Sequence, residues 1–540
     1  MRTWTSTLAL GWLIAPSPAL SLSVGTKRAG SSTLCAANSR DIVSNDTGFW
    51  PYQSYKSSNI TPPYLDINRT SDNLASGLLF ISQEDESSTA ESVKQESPFI
   101  LTDENELVWG GPQGDTSNFR QQFWGDKSLI TFWVGTGAAA YGANVGRGWG
   151  KVQFYDESYT VVKSVCLDLN LTLPEGTTAD CDADVHESFI TEDNTILLTA
   201  YNTTQADLTS VGGSKDGWVY DSIAVEVDLT TNEPVFIWSP LAHLAVNLTK
   251  EPYTASNASE PFDWFHMNSI QKWGDHYLIN SRHLWRTFLV NRQGDIVWYI
   301  DGQTGGDFGS LPQNGNFSWQ HMARLRNDSS NPNEVLLSYF ANDLDSGSAT
   351  NPSKGTTLRL TLPPNPANPP KLETDFYDEE YPVSSAAEGS FTPLKNGNTL
   401  MGYGDQPYIK EYDSNGNVLW SAQFAGEDLG QSYRAYKQEW NATPYYRPSL
   451  VVSESTSEDV LSECAGASSS LRGYVSWNGA TDVEGYKVYA GSSAKSLRLL
   501  GQIEKKGFET QFSLPADTKV VQVAAVKSGR AVRKSEVVYV

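Results

Sequence analysis

The chain has 540 residues, enough for two or three domains and a large core. A formal net charge of −24 at pH 7 and a pI near 4.6 argue against nucleic acid or an anionic membrane surface as a partner. Aromatic residues reach 11%, with 17 Trp, against only 19% charged residues, which suits a strand-rich protein with aromatic anchors rather than a helical bundle.

Residues 1–23 read as a secretory signal peptide. Arg2 supplies the positive start, residues 8–15 a short apolar run, and Ser17, Ala19, Ser21 and Ser23 the small residues that follow. That run is too short to span a bilayer, and no later stretch is apolar enough to do so. Ten Asn-X-Ser/Thr sequons fit a secreted glycoprotein: Asn45, Asn59, Asn68, Asn170, Asn202, Asn247, Asn257, Asn316, Asn327 and Asn441. Four cysteines fit an oxidising compartment. Cys166 and Cys181 flank one polar loop and are expected to pair. Cys35 and Cys464 lie either side of the repeats described next, and a bond between them would tie the two ends together.

A strand-and-turn unit recurs six times between residues 77 and 424. It is clearest at 263–302, DWFHMNSIQKWGDHYLINSRHLWRTFLVNRQGDIVWYIDG, where four short strands are separated by tight turns. That is the size of one β-propeller blade. HESFITEDNTILLTAY begins a copy at His186, HMARLRNDSSNPNEVLLSYF at His321, and GSFTPLKNGNTLMGYG at Gly389. Trp109, Trp238, Trp298 and Trp420 close the second halves of four copies. The expected fold is all-β: a six-bladed β-propeller over residues 24–450, a Ser/Glu-rich linker over 451–471, and a small fibronectin- or immunoglobulin-like β-sandwich over 472–540. The segment 432–444 reads as a closing piece packed on the ring. The Gly-rich segment 135–150 lacks the Lys-Ser/Thr of a phosphate-binding loop and reads as a loop between strands.

The chain has six histidines, and three of them, His186, His266 and His321, begin the innermost strands of consecutive copies. In a propeller all three face one channel. Arg282 follows the next strand of the central copy, close to the channel mouth. Imidazole serves as nucleophile or general acid/base near neutral pH, and guanidinium holds two oxygens of an oxyanion. Together they suit transfer of an anionic group.

At these residues the chain resembles the arylsulfotransferase family, in its secreted fungal branch. FDWFHMNSIQKWGDHYLINSRH, FSWQHMAR, PLKNGNTLMGYGDQPYIKEYDSNGNVLW and YRAYKQEWNATP carry the likeness, which runs from about residue 78 to 444. The resemblance implies transfer of a sulfuryl group from a phenolic sulfate ester to a phenolic acceptor, with no nucleotide donor, no other cofactor and no metal. It implies that His321 is the nucleophile, that His266 and Arg282 are catalytic, and that His186, Asn268 and Arg324 bind substrate. Its expected partners are small aromatic molecules.

The motifs also depart from the family pattern. Met322 stands where an Asp is usual, residues 298–302 lose an arginine, and residues 340–342 read Phe-Ala-Asn in place of Phe-Asp-Asn. Two other readings belong to different classes. Three imidazoles around a channel suit a metal such as zinc or copper in a hydrolase, lyase or oxidoreductase, which metal analysis would reveal. A non-catalytic secreted propeller would bind glycans or small aromatics, and would keep that binding without His321.

Overall fold

The computed structural model describes residues 34–85, 92–137, 140, 146–329, 331–343, 351–454 and 471–540. The expected signal segment and Cys464, the expected partner of Cys35, lie outside the described residues. Among the described residues the chain is all-β, with short 3-10 turns and no α-helix. None of its helical turns is long and apolar enough to cross a membrane.

The strands follow from runs of β-branched and aromatic residues broken by turn residues. Met267–Trp273 and His276–Ser281 are joined at Gly274, whose φ of +58° costs a glycine nothing. Long strands such as Thr195–Ala206 and Gly217–Asp228 are buried on both faces over most of their length, because each sheet is covered on both sides by its neighbours.

Six antiparallel sheets follow one another in chain order. Four of them are continuous four-stranded meanders: Thr116–Trp124 to Val161–Val165, Ser188–Ile190 to Pro234–Trp238, Met267–Trp273 to Ile296–Asp301, and His321–Asn327 to Lys371–Phe376. The sixth sheet, Ser390–Pro393 to Val418–Gln423, gains Asp66–Arg69 at its outer edge. The first sheet contributes only Leu78–Asp85, Ser97–Leu101 and Leu107–Gly110 in sequence, and Ala435–Gln438 pairs along its inner edge. The segment expected to pack as a closing piece is therefore itself a strand of the first sheet.

One apolar cluster fills each junction between successive sheets. Phe80 and Ile100 meet Phe119 and Phe132, Trp133 and Phe154 meet Ile196 and Val225, Trp238 meets Phe265 and Phe288, and Trp298 meets Leu325 and Leu337. Phe376 then meets Phe391, and Leu400 and Trp420 of the sixth sheet meet Leu79 and Phe99 of the first. The four tryptophans that mark the repeat are all buried. The Trp238 indole N–H donates to the carbonyl of Gly294, in a turn of the next sheet, at 3.1 Å. The Trp420 indole makes the same contact to Asp103 of the first sheet, also at 3.1 Å.

Two further sheets share a separate core around Val475, Tyr486, Phe512 and Val523. One contains Leu471–Ser476 and Glu509–Leu514, extended by Ala36–Asn38 on one side and Ser449–Glu454 on the other. The other contains Gly485–Gly491, Arg498–Glu504, Val520–Lys527 and Arg530–Lys534. The chain thus enters this unit twice: through an N-terminal strand, and through a strand falling where the linker was expected to begin. The unit docks on the first and second sheets. Asn478 exchanges two 2.9 Å hydrogen bonds with the backbone of Gly110, and the Tyr159 hydroxyl donates to the carbonyl of Gly479 at 2.9 Å.

Cys166 and Cys181 form the expected disulfide. Nine of the ten sequon asparagines are exposed. The exception is Asn202, which is half-buried and accepts the Thr172 N–H through its side-chain oxygen at 2.9 Å.

Candidate active site

The inner strands do not start cleanly, and this irregularity aims the histidines. His266 lies one residue before Met267–Trp273 with a φ of +52°, and Met322 has the same φ one residue into His321–Asn327. The pairing register slips between Met267 and Ser269 and between His321 and Arg324. A left-handed residue beside a bulge costs energy for a side chain of this size, and bulges re-aim side chains. His186 lies two residues before its strand, Ser188–Ile190.

His186 and His266 meet directly, Nε2 to Nε2, at 3.1 Å. Behind each stands a carboxylate: His186 Nδ1 lies 2.5 Å from Asp184 and His266 Nδ1 lies 2.6 Å from Asp263. Asp184 also accepts from the Thr199 hydroxyl at 2.9 Å and from the Gly148 N–H at 3.1 Å. Arg147, whose side chain is fully buried, reaches the same Asp263 oxygen at 2.6 Å and lies over the Tyr220 ring. Burial pushes both carboxyls up, but charge and hydrogen bonding outweigh it. Arg147 and the neighbouring imidazoles hold Asp263 well below the usual carboxylate range, and His186 with backbone N–H groups holds Asp184 below it. Burial pulls His266 down to about 4, against the opposing pull of Asp263 and with help from the charge on His186.

Arg282 directly follows His276–Ser281, and its N–H donates to the carbonyl of His266 at 3.0 Å. Its guanidinium lies over the Trp319 ring and donates to His283 Nε2 at 2.8 Å and to the Ala386 carbonyl at 2.9 Å. His283 Nδ1–H donates to the backbone carbonyl of Asp263.

His321 belongs to the next sheet. Both amide hydrogens of Asn342 are committed to carbonyls, of Ser385 at 3.0 Å and Glu388 at 3.2 Å. The Asn342 oxygen, 2.7 Å from His321 Nδ1, therefore accepts from Nδ1–H. That fixes the tautomer and leaves the lone pair on Nε2, where it receives the Glu388 N–H at 3.2 Å. Burial first, then Arg282, hold the His321 ring well below the ordinary histidine range, so it is neutral. The Tyr433 ring lies between the two groups, 5.6 Å from His186 and 6.4 Å from His321.

Four of the six sequence-predicted residues, His186, His266, Arg282 and His321, therefore gather in one place. Asn268 and Arg324 are held elsewhere. The Asn268 amide donates to the Gln320 carbonyl at 2.8 Å and accepts from Asn280 at 2.8 Å, so it braces neighbouring sheets. Arg324 pairs with the buried Glu187 at 2.7 Å, which also receives Arg434 at 2.9 Å and Arg120 at 3.4 Å. Burial would raise the Glu187 carboxyl, but the three guanidiniums bring it down to about 2.

Sequence reasoning missed Asp184, Asp263, Arg147, His283 and Tyr433. Asp184 and Asp263 carried a local signal, an acid two or three residues before a site histidine. For metal binding, Asp263, His266 and His283 bring ligand atoms within 4.8 Å of one another. The nearest donors are already committed, however, Asp263 to Arg147 and His266, and His283 Nε2 to Arg282.

Beside the site, a cavity of about 470 Å³ opens between the fourth and fifth sheets, walled by Trp285, Phe317, Tyr377 and the Lys354, Asp343 and Asp375 side chains. Trp285 stands edge-on to Trp319 at 5.3 Å, and Trp319 lies under Arg282, so an aromatic pair links the cavity to the site.

A sequence model described as Arylsulfotransferase (ASST) matches residues 120–425, more than half of the chain. The chain belongs to the arylsulfotransferase family. The match covers the second to sixth sheets and all four gathered residues, and it suggests a transferase. No curated protein matches the chain. Solved structures similar to it include a protein of unknown function from Bacteroides caccae, with 12% identity over 67% of this chain and 98% of that one and a TM-score of 0.36. Another is the periplasmic gluconolactonase PpgL of Pseudomonas aeruginosa, with 12% identity over 68% and 98% and a TM-score of 0.33. A third is the β-propeller domain of Cps50 (Swd1) from Myceliophteria thermophila, with 11% identity over 71% and 92% and a TM-score of 0.28.

Proposed function

We propose that this arylsulfotransferase-family chain is a secreted glycoprotein that moves a sulfuryl group from a phenolic sulfate ester to a phenolic acceptor through a sulfohistidine at His321. The observation that carries this reading is the His321 tautomer: Asn342 takes the Nδ1 proton and leaves a neutral Nε2 lone pair beside Arg282 and two further imidazoles. As Nε2 bonds to sulfur, the bond from sulfur to the aryl oxygen breaks. The electron pair leaves on that oxygen, which takes a proton from the His186–His266 side of the site. A second phenol then returns a proton to that same side of the site and attacks sulfur, and the N–S pair returns to Nε2. Arg282 supplies donors to the sulfuryl oxygens once it exchanges the Ala386 carbonyl for substrate.

In this reading the six sheets are blades of one propeller and the four residues face its channel. Contact of the sixth sheet with the first, and the strand Ala435–Gln438 inside the first sheet, support closure. The two C-terminal sheets form the sandwich domain, which takes in residues 36–38 and 449–454. The cavity beside Trp285 receives an aryl ring. Asn268 and Arg324 support the channel wall rather than touching substrate. Secretion is supported by the disulfide and the exposed sequons.

The test is incubation with a chromogenic phenyl sulfate and a panel of phenols. The expected result is acceptor-dependent release of the chromophore together with a sulfated acceptor. Release without a sulfated acceptor would indicate a hydrolase, and no release from any aryl sulfate would overturn the proposal.

A further inference from the structure

The His186–His266 contact constrains the number of protons in the site. Asp184 accepts from the Gly148 N–H, the Thr199 hydroxyl and the His186 N–H, so it is an ionised acceptor. Asp263 forms a buried ion pair with the Arg147 guanidinium at 2.6 Å, which holds it well below the usual carboxylate range, so it is ionised too. Both histidine Nδ1 atoms must then carry hydrogens, which they donate to these carboxylates. Two neutral imidazoles would have no hydrogen left, and their Nε2 lone pairs would face each other at 3.1 Å. A third proton removes that repulsion and makes the contact an N–H···N hydrogen bond of ordinary length.

We propose that His186 and His266 share a single proton between their Nε2 atoms and act as one acid, held in that state by Asp184, Asp263 and Arg147. Its use as the acid for the leaving phenol rests on the sulfotransfer reading; the proton count does not. Asp184, Asp263 and Arg147 are positioning residues, since they reach the substrate only through the imidazoles. Every neighbouring strand end contributes to this balance. Arg282 and His283 follow the second strand of the same sheet, with Arg282 disfavouring further positive charge on His266. Tyr201 lies near His186 from the third sheet, and Tyr433 from the closing segment; burial keeps both phenols protonated. His321, across the channel, is neutral. A second proton on the pair is resisted, because burial holds His266 down to about 4. At 3.1 Å the nitrogens are also closer than the roughly 3.3 Å implied by two imidazoles on one tetrahedral zinc with Zn–N of about 2.0–2.1 Å.

The experiment is nitrogen NMR of the full chain labelled with ¹⁵N-histidine, without substrate, at neutral pH. Six histidines keep the spectrum tractable, and His186→Gln and His266→Gln assign the pair. The expected spectrum has both Nδ1 atoms fully protonated and both Nε2 signals midway between protonated and bare, each reverting to a bare or fully protonated position when the partner ring is removed. Asp184→Asn should move the proton toward His266 and unbalance the two Nε2 signals, with the other four histidines unchanged as evidence of folding. Two fully bare Nε2 atoms in the wild type would overturn the proposal. So would a pair that shows the midway signals only after Zn²⁺ is added, which would assign the site to a metal. Because no substrate is present, a chain that transfers no sulfate can still pass, and an active chain can still fail.

Discussion

His266 illustrates how burial sets a residue's behaviour. Its pKa lies at about 4 in the fold, chiefly through desolvation, against a usual value of 6.5. Between these values the unfolded chain binds the proton and the fold does not, so stability falls as pH falls from about 6.5 toward 4. The loss is on the order of 3 kcal/mol, and His266→Gln should make that limb shallower in denaturation curves taken across the window, with the buried His321 contributing to what remains. Arg147 stands behind the same ring. Arg147→Met strands Asp263 as a buried charge and should cost about 3–5 kcal/mol, read from the denaturation midpoint. At Arg282, Ala should slow sulfuryl transfer by about 10²–10³, and Lys should restore only part of the rate, because a point charge cannot fork onto two oxygens. Equal rates for Arg282→Lys and wild type would remove the fork from the account. His186, His266 and His321 were legible because they recur at one place in a repeat, and Arg282 because it ends the strand next to one of them. Arg147 was not: it lies in the Gly-rich segment that reads as a plain loop, and only folding brings it to Asp263, more than a hundred residues away.

At the scale of elements, the short strands and tight turns were readable from alternation and turn residues, and the four marker tryptophans were readable as closing the second half of a copy. The bulges at His266 and Met322 were not, since an irregular φ leaves no compositional mark on a histidine or methionine. The strand Ala435–Gln438 was seen only as a packed segment, because its partner Leu78–Asp85 lies more than 300 residues earlier. Lys437 on that strand bridges Asp103 of the first sheet at 2.8 Å and Glu411 of the sixth at 3.0 Å. Lys437→Met leaves Glu411, fully buried, short of a counter-charge, and should cost about 3 kcal/mol in chemical denaturation. An unchanged midpoint would mean this closing contact contributes no stability. The Cys166–Cys181 bond closes a loop with a sequence separation of 15, so replacing both with Ser should lower stability by about 3 kcal/mol.

For the whole molecule, the repeat period pointed to successive four-stranded units, and the chain folds as successive sheets with one apolar cluster at each junction. The crossing of the chain into the C-terminal unit through residues 36–38 was not legible, because three residues carry too little pattern to assign to a sheet. The site shows the same division: residue types that do chemistry can be found by periodicity, whereas their carboxylate and amide partners come from loops. The central claim is that the tautomer imposed by Asn342 makes His321 Nε2 a nucleophile toward sulfur. Its most direct measurement is intact mass followed by peptide mapping after mixing with an aryl sulfate and no acceptor. The account predicts a gain of about 80 Da, one sulfuryl group, on the peptide containing His321, discharged by added phenol and absent from His321→Ala. A transferring enzyme that carries no such adduct, or carries it on another residue, would contradict it.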